Sequence, residues 1–212
     1  MSALYRLKDW KVLAIEPNPA YQRHYAALGL EVLPYAVGDH EGDDVEFSVV
    51  NSHGTDYRGG NLSYESYSSL AIKDSYDTPA NSLDISKISV RLRTLDSILQ
   101  QHAPEVDQID IISIDIEGWE LEALSGLSFD RYRPKLLIVE NLRYDAGYRR
   151  FMEGRGYLLW RCIPPNDIYV KASLIDSTME RTVSGVQSAL VTAVGRLRVA
   201  GGKIWRAYQR RN

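Results

Sequence analysis

The sequence predicts an α/β fold built on a mainly parallel sheet. Short, β-branched apolar runs alternate along the chain with segments of helical period, and several of these runs end in an acid. That alternation is the mark of βαβ units. The most pronounced run, residues 109–124 (IDIISIDIEGWELEAL), changes period midway. Its first half is an isoleucine-rich strand interrupted by Asp110, Ser113 and Asp115. In its second half Trp119, Leu121, Ala123 and Leu124 share one side of a helix, and Glu120 and Glu122 suit water. Between the halves stand Asp115, Glu117 and Gly118. Open α/β sheets bind ligands outside the carboxyl ends of their strands, so this turn is the candidate functional element. A plainer reading makes Glu117 a first-turn acid suited to the helix dipole, with Gly118 forming the turn.

The other elements follow in order. Residues 12–15 form a compact apolar strand that ends in Glu16-Pro17-Asn18-Pro19. An acid at a strand tip can accept hydrogen bonds from a ribose diol; alone, a solvated acid in a plain turn explains Glu16 as well. Pro19 suits the first turn of a helix over residues 20–28, capped by Gly29. Strands are expected at 31–36, which runs into Val37-Gly38-Asp39, at 45–50 and at 88–92. Residues 51–69 are a long polar loop, a length usual for functional lids. His53 within it reads more readily as a solvated side chain than as a reacting one. Thr94-Leu95-Asp96 starts an amphipathic helix that runs to Gln101, capped by Thr94 or Asp96. After the central element, residues 135–140 (KLLIVE) form another buried strand ending in an acid, and a helix spans 144–155. Residues 157–162 and 168–170 close an antiparallel hairpin around Pro164-Pro165-Asn166-Asp167.

Composition narrows the function class. An apolar fraction of 44% and a charged fraction of 25% are those of a globular protein, and the net charge of −3 gives no general attraction to nucleic acid. The single Cys162 excludes an internal disulfide and suits a reducing, cytoplasmic setting. The N-terminal segment lacks the apolar centre of a secretory signal. The expected organisation is one α/β domain over residues 1–170 and a basic helical tail over 171–212. In the tail Val183, Val186, Leu190, Val194 and Leu197 keep helical spacing, among Arg196, Arg198, Lys203, Arg206, Arg210 and Arg211. Such a helix can lie on an anionic membrane or a partner protein, or pack on its own domain.

Taken in order, Glu16-Pro17-Asn18-Pro19, Ala36-Val37-Gly38-Asp39, Thr94-Leu95-Asp96, Ile114-Asp115-Ile116-Glu117-Gly118-Trp119-Glu120 and the stretch from Pro134 to Glu140 resemble the FkbM-type methyltransferases. The ordered set carries the resemblance, which covers residues 11–145. It implies a class I, Rossmann-like sheet, S-adenosylmethionine as methyl donor, and O-methylation of a hydroxyl on a small molecule, sugar, glycan or secondary metabolite. It implies that Glu16 binds the ribose hydroxyls, that Asn18 belongs to the cofactor site beside it, that Asp39 with the backbone of Ala36 and Val37 lies at the adenine, and that Asp115 lies near the methionine portion. Asp115 and Glu117 are the candidate catalytic residues. A carboxylate beside the acceptor can align a hydroxyl or take its proton. A divalent cation between Asp115 and another oxygen is conceivable, with no dedicated cage in the sequence.

One departure stands out. The family's first strand and glycine-rich turn should precede Val12, and the eleven residues before it contain no glycine. The first strand is therefore expected to be missing. The chain then reads as a methyltransferase with weakened cofactor binding, or as a truncated or degenerate non-catalytic domain that docks on other machinery.

Overall fold

A computed structural model describes residues 10–51, 53–55, 61–63, 68–70 and 84–175. The chain divides into two compact units. One comprises residues up to 102 together with 122–126; the other comprises 103–121 and the chain from 127 onward.

In the first unit, α1 (Pro19–Ala27) begins where the Asn18 side-chain oxygen accepts a hydrogen bond from the Ala20 amide at 2.9 Å. That oxygen satisfies an amide with no partner inside the helix. Gly29, at φ +73°, ends the element in the left-handed conformation glycine adopts freely. The strands β1 (Tyr35–Val37), β2 (Gly42–Val50) and β5 (Ile85–Arg93) form a sheet of order β1-β5-β2. β1 runs parallel to β5 and β2 antiparallel to it. β3 (His53–Thr55) and β4 (Asn61–Ser63) pair antiparallel in a separate ribbon. Ala36, Phe47, Val90 and Leu92 are buried together as the core of the three-stranded sheet. α2 (Leu95–His102) buries Ile98 and Leu99. Thr94 caps it, its hydroxyl accepting from the Ser97 amide at 3.2 Å. Gly126 sits so close to the Gly38 carbonyl that a Cβ there would lie 2.4 Å from that oxygen. The Gly126 carbonyl in turn accepts from the Asp96 amide at 3.0 Å.

The second unit holds β6 (Ile111–Ile114), α4 (Phe129–Tyr132), β7 (Leu136–Glu140), α5 (Ala146–Glu153), β8 (Tyr157–Ile163) and β9 (Asn166–Lys171). α3 (Glu120–Ser125) follows β6 in the chain. The sheet order is β6-β7-β9-β8. Leu137, Tyr169 and Leu159 meet across three strands, each no more than 2% exposed. The loop after β7 is tied down by Asn141. Its side chain donates to Asp167 at 2.8 Å and accepts from the Asp145 amide at 2.8 Å. Asp145 then caps α5 by accepting from the Gly147 amide at 2.7 Å.

Two expectations change. The described sheets are mixed rather than mainly parallel: β1–β5 and β6–β7 are parallel, whereas β2–β5, β3–β4, β7–β9 and β8–β9 are antiparallel. The hairpin accounts for two of the antiparallel pairs. A connection as short as Pro164-Pro165 can return the chain only antiparallel, and β9 then lies against β7. Residues 12–15 make no strand among the described residues; Ile15 alone bridges Leu33. An apolar run becomes a strand only where a neighbouring edge takes its hydrogen bonds. No described helix is long and apolar enough to cross a membrane. The basic tail beyond residue 175, most of the polar loop and the first nine residues lie outside the described residues.

Candidate active site

Strand register builds the site. Ile114 of β6 pairs with Val139 of β7, and both are buried. Side chains alternate along a strand. The next residue of each chain, Asp115 and Glu140, therefore emerges side by side on the opposite face. Their carboxyl groups are hydrogen bonded to each other. Glu117 joins them, so that one oxygen from each of Asp115, Glu117 and Glu140 lies within 4.8 Å of the other two. Glu117 is 8% exposed and Glu140 9%.

The turn after β6 is held in an uncommon conformation. Glu117 has φ +61° and Gly118 φ +91°. Glycine adopts that region freely, but a side chain there costs about 1 kcal/mol or more. α3 begins only at Glu120, so Glu117 is not a first-turn acid. Nor does Glu120 face water: it is 1% exposed. One of its oxygens accepts from the amides of Ile116 and Gly118, both at 3.0 Å. The other accepts from the Tyr148 hydroxyl at 2.6 Å. Helical periodicity alone directs Glu120 outward. The two strand-exit amides need an acceptor, and that need turns it inward.

Gathering acids raises their affinity for protons. Burial, reinforced by the charges of Asp115, Glu117 and Glu120, pushes the Glu140 carboxyl up to about 9. Asp115 retains exposed surface, yet the surrounding chain displaces enough water to raise its carboxyl too. The hydrogen bond with Glu140 works against that rise, and the charge of Glu120 adds to it. At neutral pH Glu140 therefore keeps its proton, and its O–H donates a hydrogen bond to the Asp115 carboxylate. Two like charges this close do not both ionise easily.

The other expected site residues lie in the first unit. Glu16 accepts the Asn18 amide at 2.8 Å, and its carboxyl is raised by burial, against that hydrogen bond. The Asn18 side chain caps α1 and is 5% exposed. Ala36 belongs to the core, and Val37 ends β1. Asp39 is exposed, bonded at 2.6 Å to the His40 ring, which lowers its carboxyl. Sequence reasoning set Asp115 and Glu117 apart but left out Glu140, Glu120 and Tyr148. The signal for Glu140 was its place as an acid ending an apolar strand. Pairing it with Asp115 required the register.

An acid-lined exit from two adjacent parallel strands in a mixed α/β protein is a candidate ligand site, since ligands of enzymes on open sheets bind outside the carboxyl ends of the strands. A family model described as the methyltransferase FkbM domain matches residues 1–159, and the chain belongs to that methyltransferase family. No curated protein and no solved structure matches it.

Proposed function

We propose that this chain is an S-adenosylmethionine-dependent O-methyltransferase acting on a hydroxyl of a sugar, glycan or secondary metabolite. The observation that supports the reading best is the carboxyl group of three formed by Asp115, Glu117 and Glu140 at the exits of β6 and β7, in a chain of a methyltransferase family. The donor set suits the cofactor, because acids at a partly desolvated strand exit favour a sulfonium and an ammonium. The cofactor supplies an activated methyl group when bound.

The chain's own residues then have two tasks. A hydroxyl acceptor must be aligned and must lose its proton as the methyl group arrives. In this reading Asp115 accepts the hydroxyl's hydrogen bond and then its proton. Glu140 starts protonated, and its hydrogen bond keeps the charge of the pair on Asp115. Glu117, turned into the same cluster, completes the acidic wall. Glu16 and Asn18 with Ala36, Val37 and Asp39 are assigned to the nucleoside, Glu16 to the ribose hydroxyls.

Incubation of the chain with methyl-labelled S-adenosylmethionine and a panel of sugar and polyketide alcohols tests the proposal. Transfer to at least one alcohol, reduced about 100-fold or more in Asp115→Asn, is expected of a lost proton acceptor. No transfer and no calorimetric binding of S-adenosylmethionine would overturn it in favour of a non-catalytic docking domain. Activity that survives a chelator would assign the cluster to proton sharing; restoration by magnesium would assign it to a divalent cation on the same carboxyls.

A further inference from the structure

We infer that Glu120, held by Tyr148, is the positioning residue that sets the geometry of the acidic cluster. The inference rests on the reading of Asp115, Glu117 and Glu140 as the reacting site.

Glu117 owes its place in the cluster to a left-handed turn that a non-glycine residue does not adopt unaided. Something must hold the turn on both sides. The Ile116 amide lies just before Glu117 and the Gly118 amide just after it, and both donate to one oxygen of Glu120. A single acceptor thus pins the two peptide groups that flank the strained residue. Relaxing the turn would leave a buried oxygen and two amides unpaired, at a penalty larger than the strain.

The clamp is itself held. The second Glu120 oxygen takes a 2.6 Å hydrogen bond from Tyr148, in the first turn of α5. That helix is anchored at its start by Asp145 and, through it, by Asn141 and Asp167. A chain of hydrogen bonds therefore runs from β9 through the cap of α5 to the turn after β6. Glu120 acts on the cluster in two ways, through the position of Glu117 and through its own charge.

Three substitutions separate these roles. Glu120→Gln keeps an oxygen for the two amides and removes the charge. Glu120→Ala removes both, and Tyr148→Phe removes only the outer support. Amide exchange at Ile116 and Gly118, together with carbon-13 titration of the labelled Asp and Glu carboxyls, is measured on the full chain. Exchange is expected to quicken about tenfold or more in Glu120→Ala, as for a lost charge-assisted hydrogen bond. Tyr148→Phe should show a smaller change, and Glu120→Gln should stay near wild type. The cluster's titration should shift further in Glu120→Ala than in Glu120→Gln. Identical titrations in those two variants, or amide protection retained in Glu120→Ala, would overturn the inference. If Glu120→Ala does not fold, unchanged exchange in Tyr148→Phe together with fast exchange in Glu120→Gln would overturn it. None of these readouts needs methyl transfer, so a failure of the enzymatic reading shows separately in the acceptor screen.

Discussion

Asp115 and Glu140 leave neighbouring parallel strands one register step beyond the Ile114–Val139 pair and share a hydrogen bond. A proton on Glu140 belongs to the folded state. Its carboxyl titrates near 9 there, against 4.5 as the ordinary value. Between those values the folded chain holds a proton that the unfolded chain has released. Stability therefore falls as pH rises through this window, by at most about 1.4 kcal/mol per pH unit. Thermal unfolding followed by circular dichroism from pH 5 to 9 should show that decline. Glu140→Gln should flatten it but not abolish it, because Asp115 and Glu16 are raised in the same sense.

The left-handed Glu117 gives a second prediction. Glu117→Gly and Glu117→Ala both remove the carboxyl, but only glycine removes the strain of φ +61°. Urea titration should find the glycine variant more stable than the alanine variant by about 1 kcal/mol. Both should lose methyl transfer equally if the carboxyl, rather than the turn alone, serves the reaction.

Gly126 is fixed by the backbone it touches. An added Cβ would meet the Gly38 carbonyl at 2.4 Å and the Thr94 Cβ at 3.1 Å. Neither neighbour is the free end of a flexible side chain. Gly126→Ala should destabilise the chain by about 1–3 kcal/mol, the range for overpacking, measured as a lower urea midpoint.

Asn141 is 3% exposed, and its side chain bonds both to Asp145 and to Asp167. Asn141→Ala would remove the amide donor from the buried Asp167, which is 2% exposed and also accepts from the Tyr169 hydroxyl at 3.2 Å. A loss of about 2–3 kcal/mol is expected from stranded buried polar groups. Slower methyl transfer should accompany it, because the start of α5 carries the support for Glu120.

Much of the fold was legible where local chemistry decides. Pro19 and Gly29 bound α1 as turn and capping preferences require, whereas the capping by Asn18 emerged only in the fold. Residues 109–118 read as a strand followed by an acidic turn, and β6 with its strained exit lies there. Legibility ended where a partner decides. β2 and β5 are nine residues each because they pair with each other beyond the apolar stretches that announce them. Glu120 was misread because a helical wheel sees only its own helix, not the strand-exit amides it must satisfy. Glu140 was visible as an acid but not as a neighbour of Asp115, since register is a tertiary fact.

The turn from Ile116 to Gly118 has a consequence for ligand selection. Two amides converging on one point around a left-handed residue form a small concavity of the type that captures anions in many phosphate-binding proteins. Here the protein's own Glu120 fills it. A phosphate arriving at this strand exit would have to evict a buried side chain that accepts three hydrogen bonds and then sit beside three more acids. In the proposed reading, this built-in acceptor takes the place an anion would occupy and favours ligands that bring positive charge or none to the strand exit.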